Sequence, residues 1–193
     1  MNICVFSSSS NGIAGCYFEA AKQLGLLIGQ QGHSLLNGGA SVGLMQETTK
    51  AAKEAGAHVT GIIPQAINER RLGTRLSDEQ IVTANMRDRK YMLRKKSDAF
   101  IALPGGFGTL EEILEVITLK QLTYHNKAIV FINTNDFYGP LLEQFERSFK
   151  ESFTKEVYRQ LYFIASTPEE AMEYINNYQE EDIFSQWHKV PKK

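Results

Sequence analysis

The sequence has few of the features that mark secreted, membrane-spanning or nucleic-acid-binding proteins. It contains two cysteines, Cys4 and Cys16, and without a CxxC spacing they are typical of buried thiols in a reducing compartment. No apolar run approaches the roughly 20 residues that cross a bilayer, and the first residues resemble neither a signal peptide nor a transit peptide. The 21 lysines and arginines balance 22 aspartates and glutamates, which disfavours binding to nucleic acid or to a membrane surface. These absences predict a cytoplasmic protein that binds neither.

Several kinds of catalytic site are also missing from the sequence. The histidines are scattered without a ligand spacing to Cys, Asp or Glu, so we expect no metal at His33, His58, His125 and His188. There is no Gly-x-Ser-x-Gly motif of a serine hydrolase, no P-loop motif and no complete dinucleotide-binding motif. What remains is chemistry by carboxylates and arginines, and no cofactor is expected.

Short apolar, β-branched runs recur along the chain and predict buried strands at residues 3–6, 34–36, 59–63, 80–83, 99–103, 128–132 and 161–164. Most of these runs are separated by segments with apolar residues at helical spacing, such as Phe18, Ala21, Leu24 and Ile28. Such alternation favours parallel strands joined by right-handed crossovers. We predict an α/β protein with a doubly wound, mostly parallel sheet flanked by helices. One domain is expected over residues 1–180, followed by a C-terminal tail over 181–193.

Three turns that follow predicted strands are rich in glycine or serine, at residues 7–12, 37–43 and 104–109. In an open parallel sheet, ligands bind at the carboxyl ends of the strands, where the following helices present their N-termini. Glycines let a ligand approach the backbone, and the free amides at a helix start are donors for an anion. A single turn of this kind is more often only a tight connection, but three in one chain favour a phosphate-bearing ligand.

The third turn runs into a helix that carries Glu112 and Glu115 near one face. A carboxylate beside a phosphate site needs a cation, and the helix after the fourth strand offers Arg89 and Lys90 at the same sheet edge. The other cations of that helix are expected to face water, because helical spacing does not put Arg87, Arg94 and Lys95 all on the side of Arg89.

The segment 65–79 lacks clear periodicity and is rich in charge. It fits either an active-site flap or a solvated surface loop. The sequence does not separate these two interpretations.

Residues 104–112, with the sequence PGGFGTLEE, resemble the signature Pro-Gly-Gly-x-Gly-Thr-x-x-Glu of the LONELY GUY family, the cytokinin riboside 5′-monophosphate phosphoribohydrolases. Met86, Arg89 and Lys90 are similar to a second family motif, and 23 residues separate Arg89 from Glu112, as the family leads us to expect. Segments 41–45 and 114–118 also resemble the family, so the likeness spans about residues 1–180. Members of this family were formerly labelled lysine decarboxylases, a label that the motifs disfavour because no pyridoxal-phosphate lysine context is evident.

The resemblance implies a Rossmann-like homodimer, or a higher even oligomer, with Leu119 and Leu122 as possible contacts between copies. It implies cleavage of the N-glycosidic bond of a nucleoside 5′-monophosphate, either a cytokinin riboside monophosphate or AMP. Carried over by motif, Arg89 and Glu112 are the catalytic pair. Further expected substrate-binding residues are Ser8, Gly38, Gly39, Met86, Lys90, Gly105, Gly106, Phe107, Gly108, Thr109, Leu110, Glu111, Glu115 and Thr118.

The resemblance and the charges together predict a role for each catalytic side chain. Cleavage of a ribosyl C1′–N bond builds positive charge on the sugar, which Glu112 stabilises while it activates water. Arg89 bonds the leaving base or a phosphate oxygen and holds Glu112 ionised. The turn 104–109 is expected to hold the 5′-phosphate.

The chain departs from the family pattern at Ala40, at Gln46 and at residues 7–10, which leaves its base preference open. The alternative to an enzyme is a non-catalytic protein of the same superfamily that binds a nucleotide or the molybdenum cofactor. The presence of both Arg89 and Glu112 favours the enzyme.

Overall fold

A seven-stranded sheet lies at the centre of the computed structural model, which describes residues 1–70, 73 and 76–179. The strands are β1 (Asn2–Phe6), β2 (Ser34–Asn37), β3 (Val59–Pro64), β4 (Glu79–Thr83), β5 (Ala99–Ala102), β6 (Ala128–Ile132) and β7 (Phe163–Ala165). Their order is β4-β3-β2-β1-β5-β6-β7, and every neighbouring pair is parallel. The predicted Rossmann-like α/β fold is confirmed.

Helices cover both faces of the sheet, at α1 (Gly15–Gln30), α2 (Gly43–Glu54), α3 (Gln65–Asn68), α4 (Met86–Lys96), α5 (Phe107–Gln121), α6 (Gly139–Lys150) and α7 (Pro168–Asn177). Helices α1, α2 and α7 pack on one face, and α4, α5 and α6 pack on the other. Within β1, Ile3 and Val5 face the first layer while Cys4 and Phe6 face the second. Because both faces are covered, the central strands are continuous apolar runs rather than alternating ones.

The strand order reverses between β1 and β5. These two strands lie side by side, although three strands (β2, β3 and β4) and their connections separate them along the chain. Chain connections leave β1 and β5 toward opposite sides at this point, so a crevice opens at their carboxyl ends. The turns at 7–12, 37–43 and 104–109 follow β1, β2 and β5 and all lie at this edge, as predicted.

Two details differ from the sequence-based expectations. Cys4 is buried as expected, but Cys16 is exposed, because it lies in the first turn of α1 before the buried face of that helix begins. The last strand is shifted to Phe163–Ala165, since Leu161 is buried at the end of a 3-10 turn, Glu156–Leu161, instead of in a strand.

The charged segment 65–79 begins with the short helix α3, and an isolated bridge joins its Gly73 to Ala40. Residues 71, 72, 74 and 75 and the predicted tail over 181–193 lie outside the described residues. Among the described residues, no helix has the length and apolar character that a membrane span requires.

Candidate active site

Arg89 reaches the crevice from α4 with its side chain almost fully buried. Helix α4 starts at a defined point because the side chain of Asn85 accepts a hydrogen bond from the backbone N–H of Asp88 at 2.9 Å. Arg89 lies one residue later and crosses over the sheet, where its Nε donates to the carbonyl oxygen of Ile62 on β3 at 3.0 Å. Its Nη1 donates to Oε1 of Glu112 on α5 at 2.5 Å. The guanidinium therefore links a helix, a strand and a second helix.

Glu112 forms the other half of this ion pair from the second turn of α5. The two side chains are 9% and 11% exposed, so water screens their attraction little. Burial raises the pKa of Glu112 above its ordinary value of 4.5, while the charge and the hydrogen bond of Arg89 lower it part of the way. We expected Arg89 to hold Glu112 ionised; the guanidinium acts in that direction, but the effect of burial is larger.

The N-terminus of α5 lies beside the pair and is open. Gly106 is its N-cap residue and supplies no capping side chain, so the first amides of the helix are free to bond an anion. A Cβ atom placed on Gly106 or Gly108 would meet nothing within 4 Å. Phe107 is 94% exposed between them. Gly105, by contrast, is buried against Thr109, where a Cβ would lie 2.1 Å from Oγ1 of the threonine.

A second layer of ion pairs flanks the Arg89–Glu112 pair. The Nζ atom of Lys90 donates a hydrogen bond to Glu111 and lies 3.3 Å from Oε2 of Glu115. The hydrogen bond that Lys90 donates to Glu111 raises the pKa of Lys90. Arg94 bonds Glu115 at 2.8 Å, so the expectation that only Arg89 and Lys90 turn inward was wrong for Arg94. It lies four residues after Lys90, one helical turn along the same face.

The turns after β1, β2 and β5 contact one another around the crevice. The backbone N–H of Ser8 donates to the carbonyl of Pro104 at 3.3 Å, and the N–H of Leu44 donates to the carbonyl of Ser8 at 3.0 Å. Gly43 has a φ of +58°, and a Cβ there would lie 2.6 Å from the Ser8 carbonyl oxygen. The hydroxyl of Ser7 is buried without a hydrogen-bond partner among the described residues.

The expected substrate-binding residues do not all lie together. Gly38 and Gly39 are both buried. Gly38 lies against Arg89, and Gly39 lies against β3 and donates its N–H to the side chain of Asn37 at 2.9 Å. Met86 is exposed at the first position of α4. Thr118 is exposed and donates its hydroxyl to the carbonyl of Leu114; six residues beyond Glu112, it lies about 9 Å further along the helix.

Two contacts near the site could not be predicted from the types of residue in the sequence. One is made by the carbonyl of Ile62, a backbone atom, which accepts from Arg89. The other is made by Met45, which lies in the resembling segment 41–45 and whose Sδ accepts the N–H of Ala40 at 3.3 Å. Residue spacing predicts neither contact, because the first depends on how α4 lies over β3 and the second on the local path of the chain from β2 into α2.

Two other kinds of reactive group could lie near the Arg89–Glu112 pair, a metal centre and a thiol. In residues 1–70, 73 and 76–179, no group of three or more His, Cys, Asp or Glu side chains is placed to hold a metal ion. The thiol of Cys4 lies on β1 below the pair, and burial raises its pKa, so it stays protonated and unreactive. The arrangement combines a buried carboxyl of raised pKa, a fixed guanidinium and an open helix N-terminus.

Comparison with known sequences gives one family match and several close relatives. Residues 45–175 match the family described as possible lysine decarboxylase. The cytokinin riboside 5′-monophosphate phosphoribohydrolase LOG3 of Arabidopsis thaliana is 40% identical over 176 residues, covering 91% of this chain and 82% of the relative. LOGL2 of Oryza sativa subsp. japonica, a probable cytokinin riboside 5′-monophosphate phosphoribohydrolase, is 39% identical over 176 residues, which cover 91% of this chain and 72% of the relative.

Solved structures with the same fold include proteins that bind or carry the molybdenum cofactor. The molybdenum cofactor binding protein from Rippkaea orientalis has a TM-score of 0.70 and 28% identity, over 91% of this chain and 94% of that one. The molybdenum cofactor carrier protein of Chlamydomonas reinhardtii has a TM-score of 0.67 and 26% identity, over 91% and 95% of the two chains.

Proposed function

We propose, from the premise that this chain belongs to the LONELY GUY family of cytokinin riboside 5′-monophosphate phosphoribohydrolases, that it hydrolyses the N-glycosidic bond of a nucleoside 5′-monophosphate. The products are the free base and ribose 5-phosphate. The chain is therefore an enzyme, and its substrate is a cytokinin riboside monophosphate or AMP.

The observation that carries this proposal is the buried Arg89–Glu112 pair beside the open N-terminus of α5. A carboxyl of raised pKa and a helix start without a capping side chain supply the two things that this reaction needs. One is a base next to the sugar, and the other is a set of donors for the 5′-phosphate. In our proposal the phosphate at the helix start fixes the sugar so that C1′ lies against Glu112.

Glu112 acts where charge develops. As the C1′–N bond breaks, its electron pair leaves with the base and positive charge grows on the ribose. The ionised carboxylate stabilises that charge and accepts a proton from the water that adds to C1′, while solvent supplies the proton that the departing base takes up. Because burial raises the pKa of Glu112, it is a stronger base than an ordinary glutamate at neutral pH.

Arg89 serves as a hydrogen-bond donor. A guanidinium does not give up its proton in a protein, so Arg89 cannot be the general acid for the leaving base. Its Nε and Nη1 are bonded to Ile62 and Glu112, which leaves Nη2 for the base or a phosphate oxygen. The turn 104–109 is the proposed phosphate cradle. The other proposed substrate contacts are Ser8, Gly38, Gly39, Met86, Lys90, Leu110, Glu111, Glu115 and Thr118.

The proposal is tested by assaying base release from AMP, from a cytokinin riboside monophosphate and from adenosine. We expect both nucleotides to be cleaved and adenosine to be cleaved far more slowly, because only a nucleotide offers an anion to the start of α5. Equal rates on AMP and adenosine would contradict the phosphate assignment. The ratio of the two nucleotide rates measures the base preference that the departures at Ala40 and Gln46 leave open.

A second candidate function rests on the likeness to the molybdenum cofactor proteins, in which the same fold binds rather than cleaves. The sequence identity is lower for these proteins than for the phosphoribohydrolases, 28% against 40%. Tight binding of the molybdenum cofactor together with no base release from any nucleotide would establish this candidate instead.

We also propose that the enzyme is a cytoplasmic homodimer or a higher even oligomer. Leu119 is half-buried in the last turn of α5, and Leu122 is exposed directly after that helix, next to the α4–α5 contact that carries the site. Two free cysteines, one of them exposed, fit a reducing compartment. Light scattering at micromolar concentration should give at least twice the mass of the chain, and a monomer would contradict the proposal.

A further inference from the structure

The guanidinium of Arg89 is held at two of its three nitrogens, and the third lies against a glycine. Nε bonds the carbonyl of Ile62 at 3.0 Å, and Nη1 bonds Glu112 at 2.5 Å. Nη2 lies over Gly38, where a Cβ atom would be only 2.2 Å away. Real Cβ atoms essentially never come closer than 3.0 Å to such a neighbour. Any side chain at position 38 would therefore occupy the space that the guanidinium needs.

Backbone conformation does not explain a glycine at this position. Gly39 has a φ of +67°, which favours glycine, but Gly38 is not among the described residues with a positive φ. An alanine at position 38 would meet no backbone strain, so its methyl group would act only by contact. The contacts are Nη2 of Arg89 and, at 3.0 and 3.2 Å, the Cε and Sδ atoms of Met45.

The two neighbours differ in how easily they can move aside. Met45 is unbranched and flexible, and a shift of a few tenths of an ångström relieves a contact of 3.0 Å. Arg89 is almost fully buried, and a shift that clears 2.2 Å must break its bond to Ile62 or to Glu112. The methyl group would therefore displace the side chain on which the site depends.

We propose that Gly38 is a positioning residue, which acts through Arg89 by leaving the space for Nη2 while Nε and Nη1 hold Ile62 and Glu112. This inference rests on the proposed function. It gives Gly38 a different role from the one expected by motif, in which the glycine-rich turn touches the substrate directly.

The test is a double-mutant cycle of Gly38→Ala with Arg89→Lys. In the parent background, Gly38→Ala should lower kcat for base release from AMP by about 10²-fold, as the loss of a preorganised electrostatic group does. A lysine has no second terminal nitrogen, so the methyl group fits beside it. In the Arg89→Lys background, the same substitution should therefore change kcat by less than about threefold, a strong departure from additivity.

The pH profile supplies a readout that packing alone would not move. Glu112 faces Arg89 and Lys90 from α4, Glu111 from its own helix and Cys4 from β1. Displacement of Arg89 removes the cation that lowers the pKa of Glu112 most, so the acid limb of kcat should move to higher pH in Gly38→Ala. Gly25→Ala is the matched control, because its Cβ would lie 2.5 Å from the Thr48 carbonyl, between α1 and α2. It should lose stability and keep the parent pH profile.

A measurement without turnover separates this inference from the proposed function. The ¹⁵N–¹H resonance of Arg89 Nε, identified by its loss in Arg89→Lys, should shift in Gly38→Ala and stay in place in Gly25→Ala. A parent that releases no base would refute the function but leave this test intact. Parent-like kcat with an unmoved resonance would overturn the inference, and so would equal losses of kcat in both backgrounds. If Gly38→Ala alone does not fold, folding of the double variant supports the inference and its failure overturns it.

Discussion

Among the arginine–glutamate pairs of the described residues, two have similar chemistry in opposite surroundings. Arg89 and Glu112 are 9% and 11% exposed between α4 and α5, whereas Arg159 and Glu146 are 40% and 60% exposed near α6. At the surface, the pair lowers the pKa of Glu146 and raises that of Arg159, as mutual attraction requires. In the crevice, the pKa of Glu112 rises despite its partner, because burial penalises the charged form.

This difference bears on why the buried pair exists. Removing two charges from water costs several kcal/mol per ion, and their attraction repays that cost only in part. Well-packed apolar side chains at the same place are often as stable or more stable. Stability therefore does not by itself require Arg89 and Glu112, which supports the proposal that the pair serves the reaction.

The largest expected effect comes from replacing the whole buried pair by apolar side chains of similar size. Arg89→Met combined with Glu112→Leu should abolish base release from AMP while the free energy of unfolding stays equal or rises by about 1–4 kcal/mol. Urea unfolding and an adenine-release assay on the same preparation check both parts. A double variant that is both inactive and much less stable would show that the pair serves the fold.

Breaking the buried pair on one side should be destabilising, in contrast to replacing it. Arg89→Ala leaves Glu112 buried without its cation and should lower the free energy of unfolding at pH 7 by about 3–5 kcal/mol. The deficit depends on pH, because the folded-state pKa of Glu112 then lies still further above its unfolded value. Below the unfolded value both states are protonated and the deficit is smallest; it grows as pH rises toward the folded pKa. Urea titrations between pH 4 and pH 8 measure it, and a deficit independent of pH would contradict the account.

The smallest expected effect belongs to the surface pair. Arg159→Ala removes a cation that water and salt already screen, together with its contact with the Phe149 ring. The free energy of unfolding should therefore fall much less than in Arg89→Ala, and the turnover should not change. Chemical unfolding and the adenine assay, run beside Arg89→Ala, provide the comparison. A loss as large as that of Arg89→Ala would remove the distinction between the two pairs.

Much of the fold follows from the sequence because the strands are buried on both faces. Ala128–Ile132 is apolar throughout and forms β6 with the predicted bounds. Leu161 misled the prediction of the last strand, since a buried residue in a 3-10 turn has the same apolar pattern as the start of a strand. Composition likewise does not reveal that Cys16 faces outward, because helix orientation depends on packing.

The site is predictable in its identities and less so in its arrangement. Motif spacing brings Arg89 and Glu112 together, and the structure pairs them. The inward turn of Arg94 and the role of the Ile62 carbonyl depend on how α4 lies over β3. The direction of the pKa shift of Glu112 also needs the structure, because it is set by a contest between burial and a neighbouring cation that no pattern of residues decides.

The substitution Glu112→Gln tests whether the charge of Glu112 drives base release, since it keeps the shape of the side chain and removes its charge. Adenine release from AMP in a single turnover and AMP affinity by calorimetry are measured together, with circular dichroism as the check of folding and Glu146→Gln as the matched surface control. In Glu112→Gln we expect turnover to fall by about 10²-fold or more. AMP affinity should be kept or tightened, because the phosphate no longer lies near a fixed anion. Turnover equal to that of the parent in folded Glu112→Gln would contradict this role of Glu112.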